Sequence, residues 1–173
     1  MVFMSERELK RLKAAAYHEA GHAVVGWGLK LQVRPSHVTI VREDGSLGHV
    51  EHSRTRARRE NMVCLTPHGQ SVRDSEAISL FAGRLAQAKF LGHMPRGGHE
   101  SDYHQIAELC YYEDHEMQRL WCSLRYLEAQ GQVNRWWPEV EAVAAALLEK
   151  KTLKLEEFIS VFSGALAAAI SSS

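Results

Sequence analysis

No stretch constrains the chain more than Ala16-Tyr17-His18-Glu19-Ala20-Gly21-His22-Ala23-Val24-Val25, close to its start. With 3.6 residues to a helical turn, His18 and His22 share one face, a single turn apart. Neutral imidazoles are good zinc ligands, so this pair can grip one ion from a rigid helix. Glu19 lies beside the metal rather than on it, where its carboxylate can take a proton from water acidified by the ion. That is the chemistry of a zinc-dependent peptide hydrolase with Glu19 as general base. The plainer reading is a helix carrying two ordinary, partly exposed histidines; ten histidines make a chance His-Glu-x-x-His roughly a one-in-twenty event. The surroundings favour the metal. Ala20 to Val25 is small and apolar apart from His22, which predicts burial, and two unpaired imidazoles would be costly there.

A length of 173 residues predicts a single domain, 1–173, large enough to bury a core without staples. The formal net charge of +0 gives no reason to expect nucleic acid or an acidic membrane surface as partner. Cys64, Cys110 and Cys122 are scattered and lack a C-x-x-C, as expected of small buried hydrophobes in a reducing, cytoplasmic setting. Met1 to Lys13 has no apolar signal region, and Phe158 to Ile170 is shorter than the roughly 20 residues of a spanning helix.

Ser5-Glu6-Arg7-Glu8 has the form of a capping box and predicts a helix over 5–27 that carries the zinc motif. Alternation in His37 to Val41, a turn at Glu43-Asp44-Gly45-Ser46 and the return over Leu47 to His52 predict a β-hairpin within 36–52. Its open edge is suited to an extended peptide, or the hairpin simply covers the helix. Arg54, Arg56, Arg58 and Arg59 have no interleaved aromatics and read as a solvated loop; Thr66 to Gln70 reads as a further break. Residues 75–170 are expected to be helical. Ile78, Phe81, Leu85 and Ala88 form the first stripe, Gly83 implies a close helix–helix approach, and Gly92 closes that helix. Apolar positions from Ile106 through Met117, Leu120, Trp121, Leu124 and Leu127 predict one long helix to about Glu128. Gly131 to Trp137 would then connect to a helix begun by Pro138, and a last helix follows Thr152. The expected fold is mainly α with a small β-hairpin sheet: a zincin-like helix followed by a helical bundle.

A zinc hydrolase needs a third protein ligand and an open fourth position. The stretch Gly97 to Gln105 offers His99, Glu100, Asp102 and His104, and Asp102-x-x-Gln105 is also a capping box. Residue chemistry alone leaves the four as alternatives.

The order of these features resembles the peptidase domain of FtsH, a membrane-anchored AAA+ zinc metalloprotease. Ala16 to Ala23 matches that family's zinc-helix motif. His37-Val38-Thr39-Ile40 with Leu47-Gly48 is similar to its strand pair, and Ser79 to Ala86 to its glycine-containing helix. Leu147 to Leu153 with Glu157-Phe158 is similar to its C-terminal segment. The resemblance spans about residues 14–162 and implies Asp102 as third ligand, through the alignment of Gly97 to Tyr103 with the family's metal loop. His99 and Glu100 depart from the small or neutral residues found there, and Tyr111 to Trp137 resembles the family poorly. There is no G-x-x-x-x-G-K-[ST] phosphate loop. The expectation is therefore a zinc endopeptidase, one Zn2+ per chain, cutting flexible or unfolded polypeptides without ATP, alone or with an ATPase supplied by another chain. Family members form hexameric rings; with no motor of its own, this chain is compatible with monomer or ring. The alternative is a catalytically silent binding or regulatory module whose zinc is closed by a fourth ligand such as His99 or His104.

Overall fold

The computed structural model describes residues 5–29, 35–41, 49–52, 67–97, 100–110, 112 and 114–171. The expected turn at 43–46, the arginines of 54–59, Cys64 and His99 lie outside the described residues. The element order is α1 (Glu6–Gly28), β1 (Pro35–Thr39), β2 (His49–His52), α2 (Pro67–Leu91), α3 (Glu100–Leu109), α4 (His115–Arg135), α5 (Trp137–Lys150), β3 (Thr152–Lys154) and α6 (Leu155–Ser171). None of these helices is long and apolar enough to cross a membrane.

Helix α1 starts as its sequence dictates. Ser5 caps it: the Glu8 amide donates to the Ser5 hydroxyl, and the Ser5 hydroxyl and amide both donate to the Glu8 carboxylate, which holds that carboxyl below its usual range. The exposed first turns give way to a buried run from Ala14 to Gly26, interrupted only by the partly exposed Tyr17. This half of α1 lies mainly against α2 and α5. Ala77, Ile78, Phe81, Ala82, Leu85 and Ala86 of α2 share one buried core with it, together with Val140, Val143, Ala144 and Leu147 of α5.

β1 pairs antiparallel with β2, with Val38 opposite Val50, so the expected hairpin strands are present. A third strand was not foreseen. β3 pairs antiparallel with the other side of β1, placing the fully buried Val38 and Leu153 opposite each other and joining the Thr39 and Thr152 hydroxyls at 2.7 Å. Three residues are too few to show alternation, which is why Thr152 to Lys154 read as a helix start. Since β1 is paired on both sides, the outer strands are β2 and β3.

The helical half differs from expectation in three places. α2 begins at Pro67 rather than near Ser75: proline lacks only an amide that the first turn leaves unused, so the presumed break is a helix start. Its other end is as expected, with the Gly92 amide bonded to Ala88 O at 2.9 Å. The long helix predicted from Ile106 to Glu128 is two helices, because Asp114 takes the Met117 amide at 2.8 Å and starts α4 afresh. Helix α4 then runs through Gly131 to Arg135, where a connector was expected.

The face that α4 buries also differs. Trp121, Arg125, Ala129 and Val133 point inward, whereas Met117, Leu120, Leu124 and Leu127 are exposed. Hydrogen bonding decides the orientation: Trp121 Nε1 donates to Asp74 Oδ1 at 2.9 Å, and Arg125 donates to the other oxygen of the same carboxylate on α2. Arg73 lies over the Trp121 ring, 5.1 Å from its centroid. Trp121→Ala should cost about 3–5 kcal/mol in urea denaturation, as for other buried tryptophans. Leu124→Lys should stay within about 0.5 kcal/mol, as for exposed positions. Reversed values would contradict this packing.

Candidate metal centre

His18 and His22 lie on the inner face of α1, each less than a tenth exposed. Their Nε2 atoms are 3.0 Å apart. Asp102, in the first turn of α3, brings Oδ2 to 3.2 Å from His18 Nε2 and 3.5 Å from His22 Nε2. Of the four third-ligand candidates only Asp102 joins the pair among the described residues. His104 points away, exposed, with its ring 3.6 Å from Glu108, and Glu100 is exposed. Asp102 lies within α3 rather than capping it, so the capping-box alternative does not apply.

The position of His22 is set from α2. Its Nδ1 lies 2.8 Å from Ser79 O and, donating there, leaves the Nε2 lone pair of the neutral ring turned toward Asp102 and His18. The Ser79 hydroxyl donates back to His22 O at 3.0 Å. One turn on, Gly83 leaves the room the ring occupies, since a Cβ there would overlap the imidazole. Gly21 has the complementary role in α1, because a Cβ on it would come within 2.6 Å of Ala82 O. A mid-helix glycine at 83 signals a close approach in the sequence, but that its neighbour is the His22 ring is visible only in the fold. Ser79 was missed as a support; its signal is a polar residue four before Gly83 on an apolar face.

Two imidazole nitrogens and one carboxylate oxygen, all within 4.8 Å of one another, suit zinc. Tetrahedral ligands at about 2.0–2.1 Å from zinc stand roughly 3.3 Å apart. The three separations here, 3.0, 3.2 and 3.5 Å, bracket that value. Asp102 Oδ2 is buried without a hydrogen bond of normal geometry, an arrangement that a cation would satisfy. The residues fit the metal.

Without metal, the cluster is held by charge. Burial alone would lower the His22 pKa, but the Asp102 carboxylate beside it, with Glu19 and Ser79 O, raises it to about 9. Burial acts to raise the Asp102 pKa, yet the two imidazoles hold it well below the usual carboxylate range. His22 therefore stabilises the metal-free fold fully below its ordinary value of 6.5, and this contribution is lost as pH rises through about 9. Asp102 contributes above its ordinary value of 3.8 and loses the contribution as pH falls through its depressed value. In chelator, the melting temperature should be higher at pH 6 than at pH 9.5; the opposite order would contradict the arrangement. Zinc binding at pH 7 should release a proton from His22, so affinity should rise with pH.

Glu19 follows His18 on α1, is 5% exposed, and lies near enough for its charge to act on His22. It is thus a buried carboxylate at the edge of the cluster and outside the three-atom ligand set. No curated protein matches the chain. The profile of peptidase family M41 matches residues 3–113, which takes in α1, β1, β2, α2 and α3, and with them every residue of the metal cluster and its supports. By that match the chain belongs to peptidase family M41, a family of zinc-dependent metallopeptidases.

Proposed function

We propose that the chain is a zinc endopeptidase that cuts flexible or unfolded polypeptides without ATP, with His18, His22 and Asp102 as metal ligands and Glu19 as general base. The observation that carries this reading is the triangle of three ligand atoms with a buried carboxylate next to it in sequence. Zinc held by these residues would supply Lewis acidity, polarising a scissile carbonyl and making water a better nucleophile near neutral pH. Glu19 takes the proton from the attacking water at its carboxylate and hands it to the departing amine nitrogen, so one group is base and then acid. His22 keeps its orientation through Ser79 during this cycle, because its Nδ1 bond is to backbone and is independent of substrate. The peptidase family supports peptide substrates, and these 173 residues carry no phosphate loop, so we assign to them the cutting of chain segments that are already flexible or unfolded. We place this activity in the cytoplasm, with any ATPase partner supplied in trans.

The test uses casein as an unfolded substrate. The zinc-loaded chain should cleave it, a chelator should stop cleavage, and added zinc should restore it. Failure of the metal-loaded chain to cleave would favour a silent binding module. For the ligand set, Asp102→Ala should weaken zinc binding by more than the roughly 10–100-fold typical of an outer partner, while Glu100→Ala should leave it unchanged. The reverse pattern in a chelator competition would overturn the assignment.

A further inference from the structure

The third ligand sits on a short helix. α3 has ten residues, too few to be stable by itself, so tertiary contacts must hold it in place. Its buried apolar residues, Ile106 and Leu109, belong to its second half, whereas Asp102 is in the first turn. Next to Asp102, Tyr103 ties that first turn to α2. The Tyr103 ring meets the Phe81 ring edge-on, 6.2 Å between centroids, and the Arg84 guanidinium lies 5.3 Å from the Tyr103 ring centre. Arg84 Nη1 donates to the Tyr103 hydroxyl, and Nη2 reaches the carbonyl of Pro95 at 3.5 Å. One arginine therefore joins α2 to α3 and to the segment leading towards it. The same guanidinium leaves Nε buried without a hydrogen bond, a cost that favours a specific use for it.

Arg84 also follows Gly83, on which the His22 ring rests. α2 thus fixes the site from two adjacent positions, His22 through Gly83 and the Asp102 turn through Arg84. We propose that Arg84 is a positioning residue for the metal site: its bond to the Tyr103 hydroxyl sets the first turn of α3 so that Asp102 Oδ2 stays against the two imidazoles. This rests on the assignment of Asp102 as third ligand. Partners that orient a ligand through another group typically change metal affinity by about 10–100-fold, and the fork of a guanidinium suits a group that must hold two acceptors at once.

The test compares Tyr103→Phe, which removes only the hydroxyl, with Arg84→Gln and Arg84→Lys, and includes Asp102→Ala as reference. Zinc affinity is read by chelator competition, ligand geometry by the visible spectrum of the cobalt-substituted protein, and folding by the melting temperature of the metal-free chain. Tyr103→Phe and Arg84→Gln should raise the zinc Kd about 10–100-fold and alter the cobalt bands, with the metal-free melting temperature close to that of the parent. Arg84→Lys, which keeps the charge and one donor, should recover part of the affinity. Parental affinity and spectrum in both Tyr103→Phe and Arg84→Gln would overturn the proposal, as would a lowered melting temperature with an unchanged spectrum. If Asp102→Ala itself leaves affinity and spectrum unchanged, the ligand assignment fails and the positioning role falls with it.

Discussion

Glu19→Gln should leave one zinc per chain and lower the rate of casein cleavage by about 10²–10⁴-fold, the usual contribution of a positioned general base. The substitution conserves shape, so packing around this buried position is kept, but the amide cannot accept the proton of the attacking water. Because Glu19 lies outside the ligand set, metal content should not follow activity. Metal analysis and steady-state cleavage on the same preparation separate the outcomes. Loss of zinc together with activity would make Glu19 a ligand or a structural group. Retained activity would place the base elsewhere.

Gly83→Ala should be damaging although it adds a single methyl group. Alanine in a helix interior is ordinarily better than glycine by about 0.8–1 kcal/mol, so on an unconstrained helix this change would stabilise. Here the new Cβ would overlap the His22 ring. Overpacking of this kind typically costs 1–3 kcal/mol, which outweighs the gain in propensity. If the ring moves away, it also gives up its bond to Ser79 O and its aim at Asp102. The expected result is weaker zinc binding and a lower urea midpoint. A higher midpoint with unchanged zinc affinity would show that the helices separate without cost and would contradict the packing.

What could be read from the chain depended on how local each signal was. His18, Glu19 and His22 announce themselves because helical periodicity alone brings the histidines together, and Ser5 with Glu8 marks the start of their helix within four residues. Asp102 differs: nothing within its own stretch separates it from Glu100 or His104, since the choice depends on how α3 is turned against α2. The family resemblance singled out Asp102; the structure brings its Oδ2 to 3.2 Å and 3.5 Å from the two imidazoles and turns His104 outward to Glu108. The stripe of α4 shows the same limit in the opposite direction. Met117, Leu120, Leu124 and Leu127 have core-like spacing, yet Asp74, 47 residues before Trp121, draws Trp121 and Arg125 inward instead. A half-buried carboxylate on another helix overrode the apolar pattern. β3 was invisible because its reason to exist is β1, more than a hundred residues earlier.

The proposed active site is an open three-ligand zinc site beside a carboxylate that serves as base. An anomalous-difference map at the zinc edge, from crystals of the zinc-loaded chain, should show one peak held by His18 Nε2, His22 Nε2 and Asp102 Oδ2, with solvent in the remaining position. A peak elsewhere, or a fourth protein side chain such as His99 closing the site, would contradict it.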